Sequence, residues 1–92
     1  MLVLIRFRVA DPDPFRGRVA AAVAVLRARD GFMSSDLVRN LDDPELWALV
    51  SSWRDVGSYR RALQGYEARL VVVPLLSEAL DEPTAYEDPD LL

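Results

Sequence analysis

The chain has 92 residues and a formal net charge of −4, with 51% hydrophobic and 28% charged residues, which suits one globular domain with a single modest core. It has no Cys, no His and no Lys, so composition excludes disulfides, thiol nucleophiles, Cys- or His-based metal and haem sites, and Ser-His-Asp or Cys-His hydrolysis. The acidic balance argues against a nucleic-acid partner, and the lack of a run of ~18 apolar residues argues against a membrane span.

Residues 2–9 alternate, with Val3, Ile5, Phe7 and Val9 on one face and Leu2, Leu4, Arg6 and Arg8 on the other. This predicts a strand with one wholly apolar face. Arg6 and Arg8 lie inside the apolar stretch and no small-residue cleavage site follows, so a cytoplasmic protein without a signal peptide is expected. Asp11-Pro12-Asp13-Pro14 breaks the strand, with Asp13 placed to cap a helix and Pro14 to begin it. Phe15, Val19, Ala22, Val23 and Leu26 then recur at helical spacing, and Gly31 is placed to end the helix in a left-handed conformation.

Phe32–Leu41 and Leu46–Trp53 read as two strands joined by the turn Asp42-Asp43-Pro44-Glu45. A loop of those residues pairs Leu41 with Leu46, Asn40 with Trp47, Val38 with Leu49, Asp36 with Ser51 and Ser34 with Trp53. The other face then carries Met33, Leu37, Leu41, Leu46, Ala48 and Val50, with Arg39 as its odd member. A slip of one residue swaps these faces. Asp55 is the next N-cap, followed by Val56, Tyr59, Ala62, Leu63 and Tyr66 on one stripe that Gly65 weakens. Leu70-Val71-Val72-Val73-Pro74 reads either as a strand or as the lead-in to a helix over 74–80. Thr84–Glu87 is a candidate last strand. Glu78, Asp81, Glu82, Glu87, Asp88 and Asp90 meet no base nearby in the sequence and read as a solvated acidic end. The expected organisation is one domain over 1–87 and an acidic tail over 88–92.

A βαββαβ order is the ferredoxin-like plan of an α+β domain, an antiparallel sheet with helices on one face. Val3, Ile5, Phe7, Leu37 and Val50 are expected under the helices. Leu2, Leu4, Val38, Leu49, Trp47 and Trp53 are expected on the open face, with Arg6, Arg8, Asp36 and Ser51 among them. That apolar area is too large to leave wet, so a two-fold homodimer through the sheet face is expected, with Arg6 or Arg8 pairing with Asp36 across it.

The segment Trp53-Arg54-Asp55-Val56-Gly57-Ser58-Tyr59-Arg60 resembles the strand-to-helix junction of the antibiotic biosynthesis monooxygenase superfamily. There a Trp closes the third strand, an acidic cap follows, and an aromatic residue and an Arg sit on the second helix. The Gly31-Phe32 step into the second strand, the chain length and the element order agree. The resemblance implies a dimeric α/β-barrel of ferredoxin-like subunits. It also implies oxygenation without metal, flavin, haem or other cofactor. In such chemistry an aromatic or polyketide-like substrate, typically a polycyclic phenol, loses a proton and itself reduces dioxygen, with no call on His or Cys.

Carried over residue by residue, the resemblance makes Tyr59 and Trp53 catalytic: Tyr59 as hydrogen-bond partner of a phenolate or peroxy oxygen, Trp53 as a stacking wall. The Asn that quinone-forming members place before the Trp is here Leu49, and Arg69 corresponds to their anion-holding Arg if a gap is allowed. The haem-degrading branch needs an axial His that this chain lacks. Arg39, alone on its face, either snorkels at the sheet end or lines a polar corner with Ser35 and Ser52, under Tyr66 as a roof. The expected pocket lies between sheet and helices, lined by Arg39, Trp53, Tyr59, Tyr66 and Arg69. The residues by themselves equally allow Trp53 as an anchor of the sheet-face interface and Tyr59 as a core aromatic. Three functions follow: a cofactor-independent monooxygenase, a non-catalytic ligand-binding or assembly domain, which Leu49 favours, and a cyclase or isomerase.

Overall fold

The computed structural model describes residues 1–92. In chain order it has β1 (Leu2–Arg8), α1 (Pro12–Arg27), β2 (Phe32–Arg39), β3 (Leu46–Trp53) and α2 (Val56–Ala62). A π-wound turn (Ala68–Val72) then runs into α3 (Val73–Leu76), and β4 (Ala85–Tyr86) and a 3₁₀ turn (Pro89–Leu91) follow. The strands form one antiparallel sheet in the order β2-β3-β1-β4, the ferredoxin-like arrangement expected from the element order.

The alternation of β1 places Val3, Ile5 and Phe7 in the core, as expected. α1 begins two residues earlier than predicted, with Asp11 in extended backbone as N-cap and Pro12 in the first turn. Both prolines are tolerated there, because the first N–H groups of a helix have no acceptor within it. Phe15, Val19, Ala22 and Leu26 are buried along its inner stripe. Phe15 bridges Phe7 and Trp47, with ring centroids 5.1 and 5.9 Å away.

The hairpin register differs from the expected one by a single residue. Asn40 pairs with Leu46, its N–H donating to the Leu46 carbonyl at 2.8 Å, so the loop spans 41–45. The cause is the Asn40 side chain. Its Oδ1 accepts from the N–H groups of Asp42 and Asp43 at 2.9 and 2.8 Å, while Asp43 Oδ1 accepts from Glu45 N–H at 3.0 Å. The Asn carboxamide builds the turn locally and leaves Leu41 fully exposed at its tip. Leu37 therefore faces Leu49, Ser35 faces Ser51 and Arg39 faces Trp47. The shift turns β3 over: Trp47, Leu49, Ser51 and Trp53 lie under the helices, and Val50, Ala48 and Leu46 lie on the open face. A bulge at Met33 returns Phe32 to the helix side, opposite Trp53.

The segment 68–76 is helical. Ala68, Val72 and Leu75 are buried at helical spacing. Val73 N–H donates to the Ala68 carbonyl, a widened turn just before Pro74. Pro74 lacks an N–H and crowds the carbonyl four residues back, which explains the local π winding.

The open face keeps its apolar character without the tryptophans: Leu2, Leu4, Val38, Leu46, Ala48 and Val50 lie there, exposed or partly so. Arg8 and Arg6 are engaged within the chain, by Asp43 at 3.0 Å and Glu82 at 2.7 Å. The acidic end is less solvated than its composition suggests, since Glu78, Glu82 and Glu87 pair with Arg18, Arg6 and the Met1 ammonium. No helix is long and apolar enough to cross a membrane.

Candidate functional site

The junction of β3 and α2 is fixed by polar bonds. Asp55 Oδ1 accepts from Ser58 N–H at 2.7 Å, capping α2 as expected. Arg54 N–H donates to the Gly31 carbonyl at 2.8 Å, and its guanidinium grips both oxygens of Asp30 at 3.3 and 3.2 Å. Asp55 is held below the usual carboxylate range first by this Ser58 N–H hydrogen bond, and Asp30 by the hydrogen bond and charge of Arg54. Gly31 adopts φ +89°, and Ser58 packs directly against its Cα.

This framework sets Trp53 and Tyr59 side by side. Trp53 is 1% exposed. Its Nε1–H donates to Ser51 Oγ at 3.0 Å, and its ring meets Phe32 edge-on at 5.3 Å and Tyr59 at 5.5 Å. Trp53 is thus a helix-side core residue, not the sheet-face anchor that the expected register made it.

Tyr59 reaches past Trp53 to a cavity of about 390 Å³. Ile5 lines it from β1, Leu76 from the end of α3, and Leu80, Asp81 and Thr84 from the segment beyond. Burial pushes the Tyr59 phenol upward from its ordinary value, and its hydroxyl makes no hydrogen bond within the chain. Tyr59 is, like any phenol of its ordinary value or above, a neutral O–H donor at neutral pH, and its hydroxyl is free to bond a guest. The 80–84 wall is tied to β1 by Leu80 N–H on the Arg6 carbonyl at 2.9 Å and Leu4 N–H on the Thr84 carbonyl at 2.7 Å. Glu82 completes the tie. It receives Arg6 Nη2 at 2.7 Å and Nε at 2.9 Å, and the Arg6 guanidinium holds its carboxyl below the usual range.

Of the five residues expected around one pocket, the structure brings together Trp53 and Tyr59. Arg39 lies over the Trp47 ring at 5.6 Å, at the opposite end of β3 from Trp53, and is exposed. Tyr66 is 77% exposed and Arg69 is also exposed. The reason is Gly65, whose φ of +94° turns the chain after α2 and takes Tyr66 off the stripe that holds Tyr59. Leu49 is buried on the helix side, but against a separate crevice of about 330 Å³ that it shares with Val19, Val23 and Leu37. The cavity residues that sequence reading missed include Asp81, from the stretch read as a solvated end, and Thr84, from the candidate last strand, and no local pattern marks them. No group of acidic residues is placed to hold a metal ion.

A buried indole beside a partly buried phenol, on the helix face of a β2-β3-β1-β4 sheet, defines a ferredoxin-like domain with its cavity between sheet and helices. The chain matches the antibiotic biosynthesis monooxygenase family over residues 1–71 and belongs to it. Its fold is similar to that of SnoaB, a cofactor-independent oxygenase from Streptomyces nogalater, with a TM-score of 0.76 and 24% identity over 96% of this chain and 94% of that one. It is also similar to a conserved protein of Methanosarcina mazei, with a TM-score of 0.71 and 23% identity over 91% and 84% of the two chains. No curated protein matches it.

Proposed function

We propose that this chain is a cofactor-independent monooxygenase acting on an aromatic, polyketide-like phenol. The observation that carries the reading is Tyr59: a partly buried phenol, without an internal partner, at the wall of a cavity of about 390 Å³. That volume suits a fused-ring guest. An anthrone-type substrate loses a proton from its central methylene, and the anion gives electrons to dioxygen. The ring carbon bonds to oxygen, the O–O bond breaks, one oxygen stays as the quinone carbonyl and the other leaves as water with the two methylene hydrogens. The Tyr59 O–H stabilises the substrate oxyanion by a hydrogen bond. Trp53, buried behind Tyr59, is a positioning residue that fixes the angle of the phenol. The family membership and the SnoaB fold support this reading.

The active unit is proposed to be a homodimer closed over the open sheet face, within a domain spanning 1–87. The test is oxygen uptake and quinone formation with dithranol, a dihydroxyanthrone, measured above the uncatalysed rate. Wild type is expected to accelerate both and Tyr59→Phe to lose most of the acceleration. No acceleration by wild type across a panel of anthrones would sink the reading. A second reading, a non-catalytic ligand-binding domain, is favoured by Leu49, which places a hydrocarbon where quinone-forming members carry an Asn. Tight dithranol binding without oxygen uptake would select it.

A further inference from the structure

We infer that Asp81 is the carboxylate that accepts the substrate's proton, an inference that rests on the monooxygenase reading above. Oxidation of a phenol or anthrone by dioxygen starts with loss of a proton, and a base at the substrate speeds that step. The chain has no His, Cys or Lys to serve. Three titratable groups line the cavity: Tyr59, Asp81 and Glu82. Tyr59 is a phenol, uncharged at neutral pH and pushed further from ionising by burial, so it is no base for the substrate. Glu82 has both oxygens committed to the Arg6 guanidinium, through Nη2 and Nε. Asp81 lines the cavity and makes no side-chain hydrogen bond and no ion pair, so of the three it is the one whose carboxylate is unshared.

The backbone argues for position as well as for chemistry. Asp81 is bracketed by two anchors on one residue of β1. Leu80 N–H is bonded to the Arg6 carbonyl, and the Glu82 side chain to the Arg6 guanidinium. The backbone of Asp81 is thereby held at the cavity wall, while its side chain stays free to turn toward a guest. Its exposure lets the captured proton pass on to water. In the step proposed, a substrate C–H or O–H bond breaks, and the proton goes to an Asp81 carboxylate oxygen. The electron pair stays on the substrate as an oxyanion that Tyr59 holds. The charged groups around that corner are Arg6 on β1 and Glu82 on the same segment, with the neutral phenol of Tyr59 on α2 as the further titratable group.

The experiment compares wild type, D81N, D81E and D81A in steady-state dithranol oxidation from pH 5 to 9, with and without added acetate. D81N is expected to lower kcat by on the order of 10²-fold or more with little change in KM. Its remaining rate should climb with pH as solution ionises the substrate. Acetate should restore part of the D81A rate, and D81E should keep part of it unaided. Wild-type kcat in D81N overturns the assignment and leaves the monooxygenase reading standing. Equal loss in D81N, D81E and D81A with no acetate rescue also overturns it, in favour of a structural role. If wild type itself takes up no oxygen, the reading falls and the assignment with it.

Discussion

A Cβ built on Gly31 would overlap both Cβ and Oγ of Ser58, so the start of β2 and the first turn of α2 pack in contact only because residue 31 has no side chain. Its positive φ adds a second demand for glycine. Gly31→Ala is therefore expected to destabilise the fold by at least about 1–2 kcal/mol from the backbone alone. The overlap with Ser58 adds to this. A urea titration measures it as a lower midpoint with unchanged slope.

Tyr59 and Trp53 touch but should respond differently to truncation. The Tyr59 hydroxyl has no partner in the chain, so Tyr59→Phe should leave stability within about 0.5 kcal/mol of wild type while abolishing most of the dithranol oxidation. Trp53→Ala removes a fully buried ring and should cost about 3–5 kcal/mol. Ser51→Ala strands the Trp53 Nε1–H and should cost about 1–3 kcal/mol. Thermal melts set beside oxygen-uptake rates separate the hydroxyl from the scaffold.

Stability should fall in acid. Glu82 and Asp30 are held below the usual carboxylate range by Arg6 and Arg54, Asp43 by Arg8 and Asp55 by Ser58. The unfolded chain protonates these groups at higher pH than the native one. Their contribution is complete above about pH 4–5 and is lost as the pH drops through the lower native values. Urea midpoints should hold from pH 7 to 5 and decline below about pH 4, less steeply in Glu82→Gln. Tyr59, shifted upward, works in the other sense, and its contribution is lost as the pH rises past about 10.

The open face supplies the test of assembly. Val50 sits in the centre of that face, between Leu4 on β1 and Asp36 on β2. Val50→Arg should leave the helix-side core untouched and convert a light-scattering dimer into a monomer. A wild-type monomer at micromolar concentration would count against the dimer.

Much of this fold could be read from local pattern: the alternation of β1, the Phe15-Val19-Ala22-Leu26 stripe, the Asp55 cap, and the Trp53-to-Arg60 junction that carries the family resemblance. What escaped depends on contacts that sequence distance hides. Asn40 set the hairpin register through two hydrogen bonds of its side chain, and one residue of slip moved both tryptophans across the sheet. Gly65 diverted Tyr66, and with it the expected roof of the pocket. Glu82 finds its partner 76 positions away, so composition made it a solvated acid where the fold makes it a latch. Of the candidate site, the neighbouring pair Trp53 and Tyr59 was legible in the junction motif, and the far wall of the cavity was not.

Arg6 has its side chain on the open face and its carbonyl in the sheet edge, and it holds the 80–84 segment through both. A single sheet is one backbone thick, so whatever packs on its open side presses against the salt bridge that sets the cavity wall on the other. One guanidinium is thus shared between the open face of the sheet and the wall of the pocket behind it.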